Sequence, residues 1–104
     1  MPYIRKEDRA ELDETIDALA SKIQDLQKVD RPSVDSTVSA GALNYVCTRL
    51  ALTLYPSRKY WTMALVVGVF VTVVLEYYRR WAAPYENMKA RVNGDVYPRD
   101  PEGA

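Results

Sequence analysis

The chain has 104 residues, with 14 lysines and arginines against 14 aspartates and glutamates, no histidine and one cysteine. This length fits one small domain, and the apolar fraction of 48% is sufficient to fold it. A formal net charge of zero provides no overall attraction to nucleic acid, so we expect no binding to bulk DNA or RNA. The absence of histidine excludes the common Ser-His-Asp and Cys-His arrangements and nearly all zinc sites. We therefore expect a binding protein that is not an enzyme and that uses no metal or cofactor.

Apolar residues at intervals of three and four predict a helix in the first third of the chain, over residues 13–27. Asp13 is placed to cap the free amide groups at the start of this helix, and a shorter acidic helix is predicted before it, over residues 6–12. The following segment, residues 28–38, is polar, contains Pro32 and shows no period. That composition predicts a loop.

Two longer apolar patterns predict a second helix over residues 39–55 and a third over residues 60–81. The third segment carries no charge over the 15 positions 61–75 and has two neighbouring apolar stripes, so it must be covered on several sides. Its valines would also suit a buried strand, but the sequence offers no second strand to pair with it. A spanning helix needs roughly 18–20 residues, which favours burial in protein over insertion into a membrane.

The last predicted helix covers residues 84–92, with Pro84 in its first turn and Asn93-Gly94 as its stop. We expect a single helical domain over residues 1–97 and a mobile tail over residues 98–104. The predicted fold is all-α: a small bundle of three main helices with short terminal helices. Because so small a bundle cannot cover the third helix, we expect homo-oligomerisation through residues 60–81.

Arginine, tyrosine and amide side chains form the candidate ligand site. Guanidinium groups bind phosphate or carboxylate through paired hydrogen bonds, tyrosine rings stack on bases, and amide or carboxylate groups recognise polar ligand edges. We assign phosphate binding to Arg49, Arg79 and Arg80, stacking to Tyr45, Tyr77 or Tyr97, and edge recognition to Asn44 and Asp95.

Local structural roles remain open as alternatives for the same residues. Glu76 lies four positions before Arg80, where the two side chains can form a salt bridge without any ligand. The segment 93–97 has the composition of a turn and needs no further role. Cys47 lies among apolar positions, and no histidine or nearby lysine is present to activate it, so we expect it to be buried.

Several segments resemble a family of small bacteriophage proteins that has no established activity. The chain begins with Met1-Pro2-Tyr3-Ile4, as that family does, and the other shared segments are LNYVCTRL at 43–50, LEYYRR at 75–80, APYEN at 83–87 and NGDVY at 93–97. The resemblance covers most of the chain except residues 28–38 and the tail after Tyr97. This chain departs from the family in the valine-rich third helix, where relatives are more often mixed with charge. The resemblance implies a phage origin and a cytoplasmic setting.

An analogy of architecture suggests a function for such a protein. Phages carry small oligomeric helical proteins that sequester nucleotide-derived immune signals of the host, and the present chain is similar in kind. We therefore expect an anti-defence protein of the host cytoplasm that sequesters a small anionic, nucleotide-like ligand. The alternative is an adaptor that binds a host or phage protein. A phosphate-ester reaction assisted by arginine and tyrosine, and binding to nucleic acid, are less favoured.

Overall fold

A computed structural model describes residues 2–30 and 36–98, and these residues form helices and short turns with no strand among them. The helices are α1 (Lys6–Asp30), α2 (Ser36–Leu54), α3 (Tyr60–Tyr77) and α4 (Ala83–Asn93), and a π-helical segment, Tyr78–Ala82, lies between α3 and α4. The all-α prediction is confirmed. Contacts along the backbone divide the chain into two compact units, Met1–Val66 and Val67–Ala104.

Helix α1 is continuous over 25 residues, whereas the sequence predicted two helices separated before Asp13. The carbonyl of Arg5 accepts hydrogen bonds from the amides of Asp8 and Arg9 at 3.1 and 3.0 Å. These two bonds form the first turn of the helix, which begins at Lys6. No glycine or proline follows until the helix has ended, so nothing breaks it. The prediction that Asp13 caps a helix is therefore wrong, because Asp13 lies in the helix interior.

Helices α1 and α2 pack against each other within the first unit. The hydroxyl of Ser39 donates a hydrogen bond to the side-chain oxygen of Gln27, and both residues are half-buried. Ser39 was predicted to begin the second helix, but α2 begins earlier, at Ser36. The predicted loop over residues 28–38 is consequently shorter, since its first and last three residues are helical and residues 31–35 lie outside the described part of the chain.

The start of α3 is fixed by the turn before it. The backbone amide of Lys59 donates to the Ser57 hydroxyl at 3.1 Å, and the Lys59 carbonyl accepts from the amides of Thr62 and Met63 at 3.1 and 3.0 Å. Thr62 is buried, with 5% of its surface exposed, but no apolar side chain in the described part of the chain is buried. The described residues therefore do not cover the apolar surface of α3, and its burial by further copies of the chain stays a prediction.

The helical run that begins at Tyr60 does not end at Trp81 as predicted, because the chain remains helical without interruption to Asn93. The π-helical segment carries the chain into α4, with the Ala83 amide bonded to the Tyr78 carbonyl, and Pro84 lies in the first turn of α4. The predicted stop is confirmed: Gly94 has a φ of 88°, and its amide donates to the Ala90 carbonyl at 2.9 Å. Apart from Pro98, the predicted tail lies outside the described residues.

Candidate functional site

Three of the predicted ligand residues lie on α2, in the first unit. Arg49 donates a hydrogen bond from Nη1 to the Tyr45 hydroxyl at 3.0 Å, and its guanidinium carbon is 5.9 Å from the centre of the Tyr45 ring. The side-chain oxygen of Asn44 accepts a hydrogen bond from Thr48 at 3.4 Å. Since a guanidinium has five N–H donors, the bond to Tyr45 leaves most of the Arg49 donors for a ligand.

Two adjacent arginines at the end of α3 have different surroundings. Arg79 donates from Nη2 to the carboxylate of Glu76 at 3.0 Å. The alternative that Glu76 pairs with Arg80 is therefore wrong, because Arg79 takes the carboxylate three residues before it. Arg80 has no ion pair or side-chain hydrogen bond with the described residues. Its guanidinium can thus bind an anion without first leaving a partner in this part of the chain.

Arg80 lies in a hollow of about 580 Å³ within the second unit, which we call the aromatic hollow. Its walls are formed by Tyr77, Arg80, Trp81, Ala82, Pro84 and Tyr85. The three rings recur every four residues, and each is exposed, from 54% at Tyr85 to 72% at Trp81. The volume is in the range of small-molecule sites, roughly 300–1,000 Å³. The hollow therefore combines a free cation with ring faces.

A second hollow, of about 570 Å³, lies where the chain turns after α4. Asp95 and Tyr97 both line it, and the Asp95 carboxylate accepts the backbone amide of Tyr97 at 2.9 Å. This bond closes a turn of the kind that aspartate commonly forms. Glu86 and Lys89 also line the hollow, and the Lys89 ammonium lies 5.6 Å from the centre of the Tyr85 ring. Two carboxylates against one ammonium give this hollow a net negative charge, which makes it a poorer site for an anion than the aromatic hollow.

The predicted residues are thus divided among four places. Tyr77 and Arg80 share the aromatic hollow, Asp95 and Tyr97 share the second hollow, Arg79 is bonded to Glu76, and Asn44, Tyr45 and Arg49 lie together on α2.

Sequence reasoning missed two of the three aromatic residues that line the aromatic hollow, Trp81 and Tyr85. Their signal was present, because Tyr77, Trp81 and Tyr85 follow one another at the four-residue interval that aligns side chains on one helix face. The predicted break between the third and fourth helices separated Tyr85 from the other two rings and so concealed the shared face. Once the helix is continuous through Pro84, Tyr85 extends the face that Tyr77 begins.

Two further findings in residues 2–30 and 36–98 concern metal ligands and the cysteine. No group of three or more acidic or cysteine side chains there is placed to hold a metal ion. Cys47 is half-buried, although we expected it to be buried.

One helical run among the described residues, Tyr60–Asn93, is long and apolar enough to cross a membrane by length and composition. Its most apolar 18-residue window has a mean hydropathy of 1.7, and 6% of that window is buried. A helix with these properties is exceptional on the surface of a water-soluble domain, where one face is normally polar.

These features define an all-helical protein with an arginine-aromatic hollow and an exposed apolar helix. The chain belongs to the family described as Domain of unknown function (DUF6899), whose family model matches residues 1–96. Neither a curated protein nor a solved structure matches the chain. The family description specifies no activity, and the expected phage origin stays a prediction.

Proposed function

We propose that this protein binds, without turnover, a small anionic ligand that carries an aromatic ring, with nucleotides as the leading class. The observation that carries this proposal is the partner-free guanidinium of Arg80 beside the rings of Tyr77, Trp81 and Tyr85 in the aromatic hollow. A binding role of this kind would suit a protein that sequesters a nucleotide-derived signal.

The chemistry of the aromatic hollow matches the two parts of such a ligand. A guanidinium binds phosphate through two parallel hydrogen bonds, and the pairing is strengthened by charge. Stacking of a base on an aromatic side chain contributes about 1–3 kcal/mol. Because Tyr77, Trp81 and Tyr85 are exposed, a ring can reach their faces without displacing other side chains.

Binding without turnover is supported by the character of the walls. The described residues that line the aromatic hollow include no carboxylate, cysteine or lysine. Of the two carboxylates that flank these residues along the helix, Glu76 is bonded to Arg79 and Glu86 lines the second hollow. General acid-base catalysis requires a titratable group within hydrogen-bond reach of the reacting atom, and none of these wall residues offers a base suited to neutral pH.

The test is isothermal calorimetry of the full chain against a panel of linear and cyclic nucleotides. We expect a Kd in the micromolar range, which corresponds to roughly −8 kcal/mol. Chromatography of the ligand after heat denaturation should recover it intact. Recovery of an altered ligand would show an enzyme instead, and absence of binding heat across the panel would remove the proposal.

Two neighbouring arginines provide a matched pair of variants. Arg80→Gln should weaken binding at least tenfold, because it removes the free guanidinium, whereas Arg79→Gln should change affinity by less than about threefold, since Arg79 is already bonded to Glu76. Circular dichroism should show the same helix content in both. Equal losses from the two variants would mean that local charge alone attracts the ligand and that the aromatic hollow does not bind it.

An adaptor that binds a host or phage protein is the second candidate function. The observation in its favour is the exposed apolar surface of α3, since large exposed apolar patches commonly mark interaction sites. The calorimetric panel separates the two candidates, because an adaptor that binds only through α3 gives no heat with any nucleotide.

A further inference from the structure

The apolar surface of α3 extends around the helix. Successive residues of an α-helix are rotated by roughly 100°, so residues four apart form stripes along it. One exposed stripe consists of Val67, Val71 and Leu75, and a second consists of Leu65, Val69 and Val73, at 46–62% exposure. The same rotation places these two stripes roughly 160° apart. The apolar side chains therefore point in nearly opposite directions.

Stripes on nearly opposite sides need a partner that surrounds the helix. A single packed helix covers one stripe and leaves the other in water, and no apolar side chain in residues 2–27 and 39–98 is buried. A helix that is hydrophobic all round lies either in the core of a large protein or in a membrane. The described residues of this chain do not provide the first environment, whereas lipid covers every side at once.

Both ends of α3 carry the side chains that typically anchor a helix at the surface of a bilayer. Tryptophan and tyrosine concentrate where hydrocarbon meets water, and lysine and arginine extend from there towards the head groups. The first end has Arg58, Lys59, Tyr60 and Trp61, and the second has Tyr77, Tyr78, Arg79, Arg80 and Trp81. This double arrangement is independent of the apolar stripes and points to the same environment.

The length of α3 agrees with a short span. Its 18 residues extend about 27 Å, close to the roughly 30 Å of a bilayer's hydrocarbon core. The count of 15 uncharged residues that argued against a span left out Tyr60 and Tyr77 at the ends of α3. The only charged residue within α3 is Glu76, which pairs with Arg79 at 3.0 Å, and the hydroxyl of Thr72 donates to the Val69 carbonyl at 2.7 Å. The charge of Glu76 and the hydroxyl of Thr72 thus have partners compatible with lipid.

We propose that α3, residues 60–77, crosses a phospholipid bilayer as a single span, with the aromatic and basic residues at its two ends lying at the two bilayer surfaces. This proposal is an alternative to the expectation of a cytoplasmic protein, which stays a prediction. It does not rest on ligand binding, and the two are measured separately.

Flotation with vesicles tests the association. The full-length protein, reconstituted with vesicles of equimolar phosphatidylcholine and phosphatidylglycerol, should float with the lipid through a sucrose gradient and remain with it after a high-pH carbonate wash. Release by the wash would show surface adsorption only and would overturn the span. Protein that stays in the aqueous fraction as a defined oligomer of the 11.9 kDa chain would show that further copies cover α3, which also overturns it.

A charge substitution and its matched control locate the contact. Val67 on α3 and Leu52 on α2 are both 62% exposed, so an arginine at either site meets similar local crowding. Val67→Arg should reduce the fraction that floats at least tenfold, because it places a charge near the centre of the span. Leu52→Arg should leave that fraction unchanged. A loss of similar size from both would contradict insertion through α3.

Tryptophan depth gives a second measurement that does not depend on an insertion-defective variant. In a chain with Trp61→Phe, Trp81→Phe and Phe70→Trp, the single tryptophan lies near the middle of α3 and should be quenched most by lipids brominated in the middle of their acyl chains. The two native tryptophans should be quenched most by lipids brominated near the head group. A mid-helix tryptophan that responds most to the shallow bromines would mean that α3 lies along the surface, and the span would be wrong.

Discussion

Helices α1 and α3 are both exposed over most of their surface, yet their sequences have little in common. Of the 25 residues of α1, 12 are charged, whereas α3 has a single charged residue among 18. Exposure of α1 costs little because its polar residues meet water, and its apolar residues keep to one stripe. Exposure of α3 in water is costly on every side. The comparison teaches that helix formation and the medium a helix requires are decided by different features of the sequence.

Net charge shows the same contrast. Residues 1–35 carry six basic and nine acidic side chains, a net charge of −3, whereas residues 36–81 carry five basic and one acidic, a net charge of +4. The overall value of zero thus conceals a cationic middle region around the apolar helix. Basic residues beside an apolar segment are attracted to anionic lipid head groups, at about 1 kcal/mol for each residue near the surface.

The largest effect should follow from making α3 resemble α1. We expect the wild-type chain in buffer without lipid or detergent to associate, with a mass above 11.9 kDa by light scattering at micromolar concentration. The triple variant Val67→Glu, Val71→Lys, Val74→Glu should be monomeric, because it removes apolar surface worth on the order of 1 kcal/mol or more per side chain. Its Glu-Lys pair at the four-residue interval supports the helix.

Helix content provides the control for the triple variant. The three valines are 50–66% exposed, so their replacement should leave the circular dichroism of the chain nearly unchanged. A wild-type chain that is monomeric in plain buffer would contradict the view that the surface of α3 has to be covered.

A smaller effect is expected at the end of α4. Gly94 has φ 88° and ψ 138°, a region that is almost closed to other residues, so Gly94→Ala should destabilise the turn by about 1–3 kcal/mol. Gly41→Ala, in the interior of α2, should instead stabilise by roughly 0.5–1 kcal/mol, because a methyl group there meets no atom within 4 Å. Thermal unfolding measures both. A stabilising Gly94→Ala would show that the turn does not require its glycine.

Gly68 sharpens the comparison between α2 and α3. A methyl group at Gly68 also meets nothing within 4 Å, so in detergent Gly68→Ala should stabilise as Gly41→Ala does. If another copy packs closely against α3, the added methyl group will destabilise the assembly instead. Opposite signs at Gly41 and Gly68 would therefore favour self-association over lipid as the cover of α3.

Much of the fold could be predicted because local rules decide it. The helical type of α2 and α3 follows from apolar spacing, and the end of α4 follows from Asn93-Gly94, since only glycine readily adopts the conformation found there. The good cap residue Asp13 led to the wrong prediction of a break in α1. An aspartate that can cap a helix is also found inside one when its side chain is exposed to solvent, as that of Asp13 is.

The junction between α3 and α4 was hidden for a different reason. Proline usually marks a helix start because it has no amide and its ring meets the carbonyl four residues back. Here the π-helical segment precedes Pro84, with the Ala83 amide bonded five residues back, and the helix continues through the site where a break was expected. Because the π-helical segment was not predicted, the inclusion of Tyr85 in the aromatic hollow was also missed.

The smallest effect concerns a contact that the sequence did predict, between Tyr45 and Arg49 on α2. A double-mutant cycle with Tyr45→Phe and Arg49→Gln should give a coupling energy of about 0.5 kcal/mol in urea unfolding, because an exposed pair one turn apart gains little over its contacts with water. Both side chains are exposed, and the bond is a single hydrogen bond of 3.0 Å. A coupling energy well above 1 kcal/mol would mean that the pair is shielded from water by something that covers α2, and the contrast between a hydrated α2 and an apolar α3 would no longer hold.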